Sequence, residues 1–208
     1  MEICIAFSDL FNPENLIRYG GVTLLLIIIF TETGVFFGFF LPGDSLLFIA
    51  GMLTSSGFLD LNIFLLWLLL LISAVLGSIV GYLFGRRAAS YFAHRKENFF
   101  YKKKYVDTTR SFYKRYGMGA FILGRFLPII RTFVPIFAGM AGIEYGRFIL
   151  FNVIGAAIWI STMLFAGYGL GNLFPDLSNY LELIVAAMII ITAIPVIITW
   201  NKQQKKTR

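Results

Sequence analysis

Ionic side chains are scarce in this chain: only 14% of its 208 residues are Asp, Glu, Lys or Arg. A soluble domain carries about a quarter. Several stretches have almost none, including 22–40, 61–83, 148–173 and 183–200. So few charges over such lengths cannot make a soluble surface. Cysteine is present once, as Cys4, which excludes an intramolecular disulfide. Histidine is also present once, as His94, so no His/Cys metal cluster can be assembled and no metal or other cofactor is expected. Without a histidine at depth, a Ser–His hydrolase or a His-dependent membrane phosphatase has no base, and the chain is not expected to be an enzyme. Residues 1–18 lack a basic leading segment and a small-residue cleavage site, so the segment is expected to be retained.

What is abundant is apolar: 58% of the residues are hydrophobic and the mean hydropathy is +0.79. A helix needs about 20 residues to cross a ~30 Å hydrocarbon core. The chain therefore reads as an all-α polytopic membrane protein, with 1–208 forming a single membrane domain. Transmembrane helices are expected at 61–85, 148–173 and 181–200, the last C-terminal to everything else but a basic tail at 201–208.

The net charge of +7 is concentrated in two places, 86–117 and 201–208. Both flank apolar segments, which assigns them to the cytoplasmic side and not to nucleic acid. Aromatic residues interleave with Lys and Arg over 99–116, as in an interfacial helix resting on anionic lipid headgroups.

Two apolar segments are broken. Segment 118–143 contains Pro128 and Pro135, and a single crossing there would put the basic clusters on opposite faces. Prolines interrupt helices, and irregular backbone survives at membrane depth only inside protein or beside water. A re-entrant hairpin is expected. Segment 22–57, broken at Thr31-Glu32-Thr33-Gly34 and at Pro42-Gly43, is its expected counterpart, although its first arm is long enough to cross alone. Phe40-Leu41-Pro42 recurs as Phe126-Leu127-Pro128, Ala50-Gly51-Met52 as Ala138-Gly139-Met140, and Gly81-Tyr82 with Gly85 as Gly167-Tyr168 with Gly171. The pattern predicts an inverted repeat of re-entrant hairpin plus transmembrane helix, a transporter architecture with its site near the midplane.

Four charges belong to neither face: Glu32, Asp44, Arg125 and Arg131. Each costs about 2.5–3.5 kcal/mol at the bilayer centre, so they must meet one another, water or a polar ligand. A guanidinium holds phosphate oxygens bidentately, and a carboxylate beside it can release or recruit that fork. Arg125 and Arg131 are thus candidate phosphate-binding residues, and Glu32 and Asp44 candidate proton-linked gates. A structural ion-pair network is the simpler alternative for the same four. Gly77, Gly81 and Gly85 form a small-residue face for close helix packing, and Asn152 and Trp159 read as interhelical glue and packing.

The motifs Glu32-Thr33-Gly34, Phe40-Leu41-Pro42-Gly43-Asp44-Ser45, Gly124-Arg125-Phe126, Arg131-Thr132 with Pro135, and Phe151-Asn152 with Gly155 and Trp159 together resemble the DedA family of bacterial inner-membrane proteins, also called the VTT or SNARE-associated family. The resemblance covers nearly the whole chain. It implies two facing membrane hairpins, dependence on the proton gradient, and flippase or scramblase activity on undecaprenyl phosphate or a phospholipid. It also implies that the family's essential acidic and arginine positions fall on Glu32, Asp44, Arg125 and Arg131. The alternatives from the residues alone are a proton-coupled antiporter for small cations or drugs and a non-transporting structural protein. The oligomeric state, a homo-oligomer included, is left open.

Overall fold

The computed structural model describes residues 13–35, 38, 41–59, 61–92, 122 and 124–174. The expected segments at 93–117 and 181–200, the tail at 201–208, and most of the arm leading to Gly124 lie outside the described residues. Among the described residues there are five helices and no strand. They are α1 (Pro13–Gly34), α2 (Gly43–Ser55), α3 (Ile63–Phe92), α4 (Pro128–Met140) and α5 (Tyr145–Leu173).

Two of them, Ile63–Ala89 within α3 and Tyr145–Leu173, are long and apolar enough to cross a membrane. Along α3 the exposed positions Leu68, Ile72, Leu76 and Val80 recur every fourth residue, a continuous apolar stripe. The helix runs past Gly85 through Arg86 and Arg87 to Phe92, because nothing in that stretch breaks it and arginine is a good helix former.

The other three are short. Helix α1 is kinked at Gly21, where φ is 57° and ψ is −156°, a conformation that side chains disfavour. The kink leaves Gly20–Gly34 as the apolar helix. At 1.5 Å per residue it reaches about 22 Å, short of a ~30 Å core. Thus 22–40 does not continue as one long helix: it stops at Gly34. Helices α2 and α4 are 13 residues each, about 20 Å. Pro128 opens α4 at its first turn, where its missing N–H costs nothing, and Leu127 before it is extended.

Packing crosses the two halves. Helix α2 lies against α5, and α4 against α3. Both crossings are closed by glycine on backbone. A Cβ on Gly51 would strike the Leu164 carbonyl and the Tyr168 N–H region, and one on Gly139 would strike the same atoms of Tyr82 and Arg86. In return Gly167 faces the Phe48 carbonyl, and Gly85 the Ile136 carbonyl. The sequence motif aligned Gly81 with Gly167, whereas the contacts pair Gly85 with Gly167. A ladder of glycines four apart matches itself after one helical turn, so only packing selects the register. The main core sits where α1, α2, α3 and α5 meet, around Leu46, Leu47, Leu66, Leu70, Ile160 and Leu164.

Candidate functional site

The ends of the short helices converge on the middles of the long ones. Glu32 is in the last turn of α1, Asp44 in the first turn of α2, and Arg131 in the first turn of α4. Ser78 lies within α3, and Asn152 and Trp159 within α5. All six are buried.

Arg131 forms the hub. Its Nη1 donates to Asp44 Oδ1 at 2.7 Å, and its Nη2 donates to Glu32 Oε1. Its guanidinium carbon lies 4.2 Å from the Trp159 ring centre, a cation–π contact away from water. Trp159 Nε1 donates to Asp44 Oδ1, also at 2.7 Å. Thr132 Oγ1 donates to the Glu32 carbonyl at 3.0 Å, tying α4 to the end of α1. A cation from one half of the chain therefore bridges two anions of the other. The second Glu32 oxygen, Oε2, lies against Gly43, where a Cβ would collide with it, and makes no hydrogen bond of normal geometry.

Arg125 is placed differently. Its Nη2 donates to Ser78 Oγ at 3.1 Å and to Asn152 Oδ1, both neutral acceptors. Among the described residues no carboxylate forms an ion pair with it. Its Nη1 is buried without a partner. Asn152 is held in turn by its own Nδ2, which donates to the Val75 carbonyl at 3.4 Å. Arg125, Arg131 and Asn152 line a cavity with Gly124, Val134 and Pro135. The cavity has room for about one water molecule.

The four charges singled out in the sequence are thus all buried, Arg131 bonded to both carboxylates and sharing a cavity wall with Arg125, but they are not four equals. Asn152 and Trp159, read from sequence as glue and packing, bond directly to Arg125 and Asp44 and belong to the site. Ser78 was missed. The available signal for Asn152 and Trp159 was positional: Asn152 is an amide inside an apolar span, and Trp159, seven residues on, shares its face. Pro42 and Gly43 precede and begin α2; Pro128 begins α4, and Pro135 lies inside it. No group of three or more His, Cys, Asp or Glu side chains that could hold a metal occurs among the described residues.

The VTT domain matches residues 41–169, which contain Asp44, Arg125, Arg131, Asn152 and Trp159. This chain belongs to the VTT-domain family, the DedA proteins. It is 39% identical over 196 residues to Protein DedA of Escherichia coli K12, covering 93% of this chain and 89% of the relative. An uncharacterized membrane protein of Mycobacterium leprae is 35% identical over 201 residues (95% and 87% covered). The inner membrane protein YqjA of E. coli K12 is 27% identical over 205 residues (95% and 91%). No solved structure matches. The second and third of these relatives are named as membrane or inner-membrane proteins, and none of the three is named as an enzyme. With two helices apolar enough to span a bilayer, the DedA protein described here is a helical membrane protein.

Proposed function

We propose that this DedA protein carries a phosphate-bearing lipid, an undecaprenyl phosphate or a phospholipid, between the leaflets of the bacterial cytoplasmic membrane, linked to protonation of Glu32 or Asp44. The observation that carries the reading is Arg131, held by both carboxylates beside a second arginine that has none. A buried ion network barely repays its desolvation, so stability alone is a poor reason for it. A guanidinium that carboxylates can release is suited to taking a phosphate in their place.

The architecture proposed with it is an inverted repeat in which 22–57 and 118–143 re-enter the membrane. Three observations support this. The apolar helices Gly20–Gly34, Gly43–Ser55 and Ile130–Met140 are too short to cross. The Gly51–Leu164 and Gly139–Tyr82 crossings use the same atoms. The packing of α2 on α5 and of α4 on α3 is what a two-fold exchange of the halves produces. The positive-inside rule then assigns 86–117 and the C-terminus to the cytoplasm, the basic segment resting on anionic headgroups.

The test is leaflet exchange of a labelled phospholipid or polyprenyl phosphate in liposomes holding the purified protein. Wild type exchanges it, and correctly inserted Arg131→Ala does so far more slowly. Undiminished exchange by that variant removes the role given to the network. Cation-driven pH changes in the vesicles without lipid movement would favour an antiporter instead.

A further inference from the structure

We propose that the two arginines have different tasks: Arg125 is the group on which the phosphate first docks, aimed by Asn152 and Ser78, and Arg131 is a latch that becomes available only afterwards. This rests on the reading of the protein as a carrier of phosphate-bearing lipid.

The difference begins with charge. Arg131 is bonded to two carboxylates and covered by the Trp159 ring. Arg131 shares the cavity wall with Arg125, but its charge is offset by the two carboxylates bonded to it, which repel an anion brought beside it in a medium of low dielectric. Arg125 carries the same positive charge with neutral partners. Its field is cancelled by no bonded anion, so it is the place in the chamber where a phosphate gains most. Among the described residues Arg131 is the charged side chain bonded to Glu32 and to Asp44, so protonating either one weakens a bond of Arg131 and none of Arg125.

Geometry points the same way. Asn152 and Ser78 both accept from Nη2, which fixes the plane of the Arg125 guanidinium. The Val75 carbonyl fixes the amide of Asn152 so that its oxygen, not its nitrogen, faces Arg125. Nη1 is then left buried and unpartnered in a residue that lines the cavity and is only 5% exposed; Arg131 Nε is unpartnered too, but on a guanidinium already neutralised by two carboxylates. A buried N–H of a cation without an acceptor is costly and is resolved by an anionic oxygen. The chain beside it, Phe126 and Leu127, is partly exposed and apolar, a short path from the surrounding medium to Arg125. A phosphoryl group is larger than the water-sized cavity, so docking requires the turn at 124–127 to move outward. Asn152 and Ser78 are positioning residues in this scheme, acting through Arg125.

The chemistry recognised is a phosphate ester or a bare phosphate, and two assays separate the sources. In liposomes, exchange is measured against the mole fraction of labelled polyprenyl phosphate or phosphatidylethanolamine, with and without inorganic phosphate. In detergent, inorganic phosphate binding is followed by calorimetry. Arg125→Gln should raise the half-saturating lipid fraction by roughly tenfold to a hundredfold, the loss of one charge-assisted contact. Arg125→Lys, which keeps the charge without the fork, should recover part of that loss. Asn152→Ala should raise half-saturation by several-fold with a smaller effect on maximal rate. The triple variant Glu32→Gln, Asp44→Asn, Arg131→Gln strands no charge. It should slow the maximal rate while holding half-saturation within about twofold.

Equal rises in half-saturation for the triple variant and Arg125→Gln, both monodisperse, overturn the division of tasks, as does an unchanged value in Arg125→Gln. If wild type moves no lipid, the carrier reading fails by itself. The calorimetric arm then decides the inference: binding of inorganic phosphate to wild type and not to Arg125→Gln supports it, and no binding to wild type overturns it. Inhibition of exchange by inorganic phosphate assigns the subsite to bare phosphate as well as ester. Saturation by lipid without inhibition, lost in Arg125→Gln, assigns it to the headgroup ester.

Discussion

Trp159 donates its indole N–H to the same Asp44 oxygen that pairs with Arg131, both at 2.7 Å, while its ring lies under the Arg131 guanidinium. One side chain therefore touches both members of a buried ion pair that joins α2 to α4 and braces the pair against α5. The arrangement separates two contributions that substitution can measure.

Trp159→Phe keeps an aromatic face for Arg131 and removes the donor to Asp44. A loss of about 1–3 kcal/mol is expected for a buried hydrogen bond to a charged acceptor. Trp159→Leu removes the cation–π contact too and should cost more. Thermal unfolding of the purified variants in one detergent checks the order; equal losses would mean that the donor alone matters.

Arg131→Met leaves Glu32 and Asp44 buried without their cation. Breaking such a network from one side costs about 3–5 kcal/mol. Glu32→Gln and Asp44→Asn added to Arg131→Met should restore stability even though both ion pairs are gone. Additive losses in this series, read from unfolding midpoints, would contradict the tertiary ion network.

Gly43→Ala should displace the Glu32 carboxylate, because the new methyl occupies the position of Oε2. Gly146→Ala, where a Cβ meets nothing within 4 Å, is the matched control. Lipid exchange is expected to fall in the first variant and not in the second. Comparable exchange in both would show that the Glu32 position is not critical.

Gly85→Val and Gly167→Val test the two helix crossings together. Each would drive a side chain into facing backbone, the Ile136 and Phe48 carbonyls respectively, and backbone cannot turn aside as a side chain can. Losses of at least about 1–3 kcal/mol are expected from overpacking, and of similar size at the two sites. Melting temperatures that differ widely would argue against equivalent crossings.

Exchange should accelerate as pH falls. Protonating Glu32 or Asp44 removes a bond to Arg131, and each carboxylate faces the other as well as that arginine. Lower pH therefore frees the latch, and Glu32→Gln combined with Asp44→Asn should flatten the profile. A pH–rate curve in liposomes with matched internal and external buffers measures it. A profile of unchanged slope in the double variant would place the proton-linked group elsewhere.

Much of this was legible in the residues. Glu32, Asp44, Arg125 and Arg131 stand out because a charge in an apolar run is expensive, and expense marks position. Pro42, Gly43 and Pro128 mark where the short helices begin, whereas Pro135, expected as a break, lies inside α4 without ending it. Asn152 and Trp159 were visible but not assignable. An amide or an indole in a span can face a neighbouring helix or a buried arginine, and its spacing is the same in both cases. The glycine ladder was seen and its register was not, because a four-residue repeat fits its partner equally well one turn away.

The amino-acid order by itself determined a helical membrane protein with four misplaced charges and broken segments around them. These follow from local physics: helix rise against bilayer thickness, the missing N–H of proline, and the cost of an ion in hydrocarbon. Only the tertiary structure decided that Arg131 takes both carboxylates and Arg125 takes Ser78 and Asn152. That choice depends on how α3, α4 and α5 are rotated against one another. A rotation of one residue turns a helix side chain by about 100°, so partners at this depth are selected by packing and not by spacing along the chain.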